Sequence, residues 1–392
     1  MAYIGKNPTS VPLTSSDITD GIITTTKIAD ANVTNPKLTS GSQQNFRNII
    51  INGDMSIAQR GTSGTLQNGT GGYLCLDRWN EIEGGSESFV FTVSQDSDVP
   101  TGQGFAKSLK FDCTTADASL AADGALTFRQ KIEGQNIQYL KKGTSNAVST
   151  TLSFWVKSVK TGTYIIALVD VDNSRSISKS YTIDSASTWE YKTITYAGDT
   201  SGAFGNDNGN SLQVEFYLGA GSNYTSGTLQ TSWGSNVATN QRVGQVNLAD
   251  STSNNFWITG VQLEAGTTAS DFEFLPVDVN LQRCLRYYEL LGSGYNYTLF
   301  NAFNYTSTAL YSVASTQVVM RTNPSVDQTT GTSYYRFIRD NGNDYFDSLS
   351  VDIAKTNSIE LLNSSEISGT AGQTGWVRLN HASSYLALDS EL

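Results

Sequence analysis

The sequence is short of the residues that carry most metal and nucleophile chemistry. Among 392 residues there are one histidine, three methionines, six prolines and three cysteines. Cys75, Cys113 and Cys284 are widely separated and form no CxxC pair, which with a single imidazole excludes a structural zinc site. They read as free buried thiols. Any Ser-His-Asp or Cys-His scheme would have to use His381, which sits beside Ala382 and Ser383 and reads as a surface-loop residue. GxSxG, P-loop and HExxH motifs are missing, as is a GxGxxG in a βαβ setting. Glycoside hydrolysis needs only two carboxylates, and sequence cannot place such a pair among 36 acidic residues. A non-enzymatic protein without a cofactor is expected.

Charge is also sparse. Asp, Glu, Lys and Arg make up 16% of the chain, with a net charge of -11. That balance excludes a broad basic surface, so neither nucleic acid nor an anionic membrane is an expected partner. No apolar run approaches the length of a membrane span, and the opening MAYIGKNPTS has no apolar signal core, so neither membrane insertion nor an export address is expected. What is abundant is glycine, tyrosine and other aromatics, with Thr, Ser and Asn, a composition that favours strands and turns. A chain of this length exceeds one ordinary core, so several domains are expected.

Residues 1–44 hold Pro8, Pro12 and Pro36 and one aromatic, Tyr3. Ordering ~40 residues costs on the order of 60 kcal/mol in conformational entropy, and a handful of aliphatic side chains returns only ~2 kcal/mol each. No core forms here. Yet Leu13, Ile18, Ile23, Ile28, Val33 and Leu38 recur every five positions, all but Ile28 followed by Thr. Five suits neither a helix nor a flat strand. A partner is implied: three copies side by side could turn these residues toward a shared axis, forming an extended stem of up to ~85 Å. A pentapeptide-repeat solenoid is the competing account, although six pentads are few for one.

From residue 45 to 275 short strand candidates alternate with Gly, Asn, Asp and Ser clusters. They are 48–52, 88–93, 151–158, 163–171, 189–196, 212–218 and 255–264. Leu152, Phe154 and Val156 share one face, and Trp257, Thr259, Val261 and Leu263 another. A jelly-roll-like β-sandwich is expected, with the long loops 197–210 and 219–254 at its ends. The segment 276–291 reads as one short helix, preceded by Pro276, capped by Asp278 and ended by Gly292. Its Val277, Leu281, Cys284, Tyr288 and Leu291 form either a coiled-coil seam, in which Leu281 and Tyr288 would be trimer contacts, or a stripe packed on the sandwich. Residues 292–392 carry seven further strand candidates, a second small β-sandwich.

Several motifs together resemble tail-fibre or receptor-binding proteins of tailed bacteriophages, particularly those of marine bacteria and cyanobacteria. They are YIGKNPTS (3–10), the Thr-rich repeat, NIIINGDMSIAQRG (48–61), LDRW (76–79), SFWVKS (153–158), FWITGVQLEAG (256–266), FEFLP (272–276) and LQRCLRYYE (281–289). The resemblance covers most of the chain. It implies a homotrimeric virion fibre, assembled in the host cytoplasm and docked through its N-terminal segment, with Tyr3, Ile4 and Pro8, on a tail or head adaptor or nozzle protein. It further implies a carbohydrate-binding-like middle domain and a receptor-binding tip that meets host-surface polysaccharide or an outer-membrane protein. Alternatives are a polysaccharide-degrading tailspike-type hydrolase and a purely structural connector.

Sugar recognition wants exposed aromatic faces beside amide, carboxylate or guanidinium groups. The candidate tip offers Tyr334, Tyr335, Arg336, Tyr345, Trp376, Arg378, Asn380 and Tyr385, with Tyr224 and Trp233 in a loop of the middle domain as second choices. Trp79, Trp155, Trp189 and Trp257 are expected in the core. The oxygen-rich stretches Asp170, Asp172, Asn173 and 205–210 could hold calcium but read as solvated turns.

Overall fold

Alternating apolar side chains zip most of the chain into antiparallel ladders. The computed structural model describes residues 46–340 and 342–392. The pentad residues and the docking residues Tyr3, Ile4 and Pro8 lie outside them. Twelve strands build the sandwich: β1 (Ser63–Leu66), β2 (Asn80–Gly84), β3 (Val90–Asp96), β4 (Ser108–Thr115), β5 (Ala125–Glu133), β6 (Thr150–Ser158), β7 (Gly162–Asp170), β8 (Arg175–Ile183), β9 (Glu190–Tyr196), β10 (Asn210–Ala220), β11 (Gly234–Ser235) and β12 (Asn255–Ala265). They form two six-stranded sheets, β1-β3-β4-β12-β6-β9 and β11-β8-β7-β10-β5-β2. A one-turn helix α1 (Ser222–Thr225) follows β10. The mainly β architecture agrees with the composition.

Between the sheets lies one core. Phe128 and Phe216, paired across β5 and β10, stack with ring centroids 4.7 Å apart, and Trp79 meets both rings edge-on or tilted. All three are fully buried. Burying side chains of this size contributes roughly 1.5–3 kcal/mol each. Cys75, Cys113 and Cys284 are buried thiols.

The stretch 48–52 is not a ladder strand. Its Ile49 N–H bonds the Leu263 carbonyl of β12 at 2.8 Å, but side-chain amides satisfy the rest: Gln130 bonds both the N–H and the C=O of Ile51, at 2.7 and 2.8 Å, and Asn48 accepts from the N–H of Ile50 and Leu263. Asn52 and Met55 adopt left-handed backbone conformations that no strand allows.

The helix is shorter than the sequence suggests. Helix α2 covers Val277–Leu285, Pro276 occupies its N-cap position without a side-chain cap, and strand β13 (Tyr288–Ser293) begins two residues beyond the Arg286 C-cap. Pairing of β13 with a C-terminal strand overrides the local helical preference of RYYELL. Tyr288 is therefore 1% exposed inside its own subunit and cannot be a trimer contact, and Leu281 packs on a small cluster of Ile51, Ile57, Cys284 and Tyr287.

The remaining strands are β14 (Thr298–Asn304), β15 (Leu310–Ser315), β16 (Ser325–Gln328), β17 (Tyr335–Arg339), β18 (Gly342–Phe346), β19 (Ser350–Lys355), β20 (Ser358–Asn363), β21 (Thr374–Leu379) and β22 (Tyr385–Asp389). A three-stranded sheet, β13-β22-β16, faces a seven-stranded one, β18-β17-β21-β14-β15-β20-β19, across a second core that includes Tyr335, Phe337, Phe346, Val377 and Leu379. This unit begins at Tyr288 and is bound tightly to the sandwich, and Asn45–Leu392 together form one compact unit. No helix among the described residues is long and apolar enough to cross a membrane.

Candidate functional site

The outer faces of the two sandwich sheets differ. On the β7/β10 side, Ile165, Ala167, Val169 and Tyr217 are covered by the 219–254 loop: Leu229 packs on them, and the Arg242 guanidinium lies 4.2 Å from the Tyr217 ring centroid. That loop covers a sheet face rather than an end of the sandwich. It positions Tyr224 under Arg242, and it ties the Trp233 indole to the Ala197 carbonyl at 2.7 Å. Both second-choice aromatics are thereby held in packing roles.

The opposite face is open. Phe154 and Val156 point into the core, so Trp155 points out, directly across the ladder from Tyr191 of β9. Their ring centroids are 5.2 Å apart, and Tyr191 is 45% exposed. The next outward pairs along the same two strands are Ser153 with Thr193 and Thr151 with Thr195. Ser153 and Thr151 are only 2% exposed, and the Thr151 hydroxyl donates to the Gly266 carbonyl at 2.9 Å, so what the ladder presents is an aromatic pair followed by the exposed Thr193 and Thr195 of β9.

The far wall is the segment that follows β12. Glu264 accepts from the N–H and the hydroxyl of Ser270, at 2.9 and 2.7 Å, which fixes the turn and brings up Phe272 and Phe274. These rings cluster with Phe105 at centroid separations of 4.9–5.1 Å. The cluster requires glycine at 260. There φ is +63°, and a Cβ would stand 2.5 Å from the Phe105 ring. Between the walls runs a groove of about 860 Å³ whose lining includes one carboxylate, Asp271.

Gly260 also explains the orientation of Trp257. The β12 ladder breaks register between Thr259 and Gln262. Phe256 and Ile258 face the core before this bulge, and Val261 and Leu263 after it. Trp257 is therefore turned outward, contrary to the simple alternation that groups it with Val261. Of the four tryptophans expected in the core, only Trp79 is there; Trp155, Trp189 and Trp257 all lie partly exposed. Lys157 sits 4.3 Å from the Trp257 centroid and 5.5 Å from that of Trp189, and it pairs with Asp98. Asp96 accepts from the Trp257 indole at 3.2 Å; burial acts to raise its pKa, but hydrogen bonds from Asp98, Trp257 and Ser97 hold it below the usual range.

The eight tip candidates separate. Tyr335 is buried, its hydroxyl bonded to the carbonyls of Thr329 and Tyr385. Tyr385 and Tyr288 donate to the two oxygens of Asp327 in a cleft of about 700 Å³ between the sandwich and the C-terminal unit. Tyr334 stacks on His381 at 4.6 Å, and Asn380 bonds the Ser333 carbonyl. Those four are structural. Arg336, Tyr345, Trp376 and Arg378 share the outer face of the seven-stranded sheet.

Asp170 is not in a solvated turn. It is fully buried, 2.5 Å from the Lys142 ammonium, which also lies 3.2 Å from Asp199 and donates to the carbonyls of Ser201 and Gly202 at 2.8 and 2.7 Å. Asp199 further holds Arg175 through two hydrogen bonds of 2.7 and 2.9 Å. Of the oxygen-rich residues considered for calcium, Asp170 is compensated by a side-chain cation, Lys142. Among the described residues no His, Cys, Asp and Glu side chains gather into a metal-binding group.

No protein-family model matches the chain, and no curated protein matches it in sequence. Among solved structures it is similar to the enzymatically active domain of tailspike protein 4 of bacteriophage CBA120 at 14% identity and a TM-score of 0.28, over 56% of this chain and 21% of that one. A family 11 carbohydrate-binding module from Clostridium thermocellum, in complex with a β-1,3-1,4-mixed-linked tetrasaccharide, shares 14% identity at a TM-score of 0.26, over 53% of this chain and 99% of that one. A family 22 xylan-binding domain shares 11% identity at 0.28, over 58% and 99%. The chain spans about a fifth of the length of the tailspike chain. Likeness of this degree assigns no activity.

Proposed function

We propose that the protein is an adhesin that binds a glycan chain along the groove on the open face of the sandwich. The observation that carries this reading is the β6/β9 ladder: the Trp155–Tyr191 pair offers ring faces to sugar C–H groups, and the exposed Thr193 and Thr195 of β9 offer hydroxyls for the next unit. Rows two residues apart along a strand are separated by about 6.6–6.8 Å, a spacing that lets an extended ligand engage more than one row. Lining with a single carboxylate favours holding a saccharide over cleaving one, since glycoside hydrolysis ordinarily uses two.

The motif resemblance supports reading this adhesin as a homotrimeric fibre of a phage particle, docked through residues 1–44 and using avidity from three weak contacts. The groove is tested by native gel electrophoresis of the whole chain through gels containing soluble neutral polysaccharides: mixed-linkage glucan, xylan and galactan. At least one should retard the protein, and Trp155→Ala with Tyr191→Ala should abolish that retardation. Retardation unchanged in the double variant would overturn the groove assignment, and shortened polysaccharide would favour the hydrolase. Light scattering that returns a monomer mass for the full chain would remove the trimer.

A further inference from the structure

We infer that the outer face of the seven-stranded sheet in the C-terminal unit is a second binding site, separate from the sandwich groove, for an anionic saccharide bearing carboxylate or sulfate groups. Tyr335, Phe337, Phe346, Val377 and Leu379 point into the core, which turns Arg336, Tyr345, Trp376 and Arg378 outward. Arg336 lies directly opposite both Tyr345 and Arg378 in the ladders. Two guanidinium groups are thus neighbours on one face, an arrangement that repels unless an anion lies between them.

In a chain of net charge -11, carboxylates are plentiful. Arg339, three positions along β17, has one: Asp344 at 2.7 Å. Arg336 and Arg378 form no ion pair among the described residues. Arg336 donates instead to the Asn296 side chain at 2.8 Å, and its Nε is buried with no partner. Arg378 donates from Nε to the Thr298 hydroxyl at 2.9 Å. Each arginine is held in place by a neutral group that leaves other N–H donors unspent. Flat guanidinium groups of this kind take carboxylate or sulfate oxygens in paired hydrogen bonds.

The aromatic neighbours narrow the ligand to a sugar. Trp376 is 41% exposed, with the Arg378 guanidinium 5.7 Å from its centroid, and Tyr345 is 46% exposed on the other side of Arg336. A pyranose ring resting on either aromatic would present a ring carboxylate or sulfate to the arginines. The overall acidity of the chain disfavours a phosphodiester polymer, which needs a broader basic surface.

Native gel electrophoresis of the whole chain through alginate, a polyuronate, tests the site against neutral dextran and duplex DNA. Alginate should retard the protein and dextran should not. Arg336→Gln with Arg378→Gln should weaken retardation about tenfold or more, as expected for lost charge-assisted hydrogen bonds, and Trp155→Ala in the groove should leave it unchanged. Tyr345→Glu is the control for folding: it sets a carboxylate against Arg336, a favourable cross-strand pair, and should abolish retardation without lowering the melting temperature. Absence of retardation by alginate, or equal retardation of the double variant, would overturn the inference. Equal retardation by DNA would overturn the saccharide assignment, and loss of alginate binding in Trp155→Ala would return the ligand to the groove.

Discussion

Arg78 and Glu391, 313 positions apart, form a buried ion pair that joins the sandwich to the C-terminal unit. Arg78 also lies 3.5 Å from the Tyr287 ring centroid and donates to the Lys131 carbonyl at 2.6 Å. Glu391 pairs in addition with Arg60, and Arg321 donates to the carbonyls of Ser390 and Glu391 at 2.7 Å each. Nearby, Glu133 takes two 2.8 Å hydrogen bonds from Arg286; burial opposes its ionisation, but Arg286 and the Tyr287 hydroxyl hold its pKa below the usual range. The junction between the two β units is thus polar and desolvated. Removing one partner there leaves a charge that water cannot reach.

Glu391→Ala should accordingly destabilise the protein by about 3–5 kcal/mol, the usual cost of stranding a buried charge. Calorimetry should show the single melting transition broaden or split as the two units uncouple. An unchanged single transition would contradict the coupling role.

Lys142→Ala removes the ammonium that compensates Asp170, whose other side-chain partner is the amide of Asn173 at 2.9 Å. A loss on the order of 3–5 kcal/mol is expected. The exposed oxygen set of Asp170, Asp199 and two carbonyls suits a hard cation. Millimolar calcium should therefore raise the melting temperature of Lys142→Ala more than that of the wild type, as measured by calorimetry.

Glu81 is buried, with one oxygen unpartnered and the other 3.2 Å from the Leu74 N–H. Burial pushes its carboxyl up to about 8. In the unfolded chain it titrates near ~4.3, so between these values the folded state holds the extra proton. Its contribution to stability is fully present below the unfolded value and is lost as pH rises through about 8. Glu81→Gln should gain stability relative to wild type between pH 5 and pH 9 in urea unfolding. A difference that stays constant with pH would refute the assignment.

Gly260→Ala should cost at least about 1–2 kcal/mol for the left-handed backbone alone, with more from the collision with Phe105. Because the Phe105, Phe272 and Phe274 cluster walls the groove, glycan retardation should fall together with the urea midpoint. Retained binding at full strength would place the ligand elsewhere.

The positions of the strands were legible because period-two alternation is a local property. Strands 151–158, 163–171 and 255–264 appear within a residue or so of their expected bounds. The face shown by each residue was less legible wherever a register break intervened. A bulge at Gly260 reverses the phase of β12, and the only sequence sign of it is that glycine inside the apolar run. Phe154 and Val156 did mark Trp155 as outward-facing, a signal outweighed by the expectation that tryptophan is buried.

Composition and periodicity alone establish a β-rich, weakly charged chain, since those conclusions depend on residue counts and neighbours a few positions apart. Tertiary pairing decided the rest. It ended the helix at Leu285 by offering Tyr288–Ser293 a strand partner almost a hundred residues later, and it compensated Asp170 with Lys142. It also divided the eight tip candidates, four held in packing and four on one open face. The physical reason is common to all three: burial, charge compensation and ladder pairing are settled between residues far apart in the chain, where local propensity has no reach.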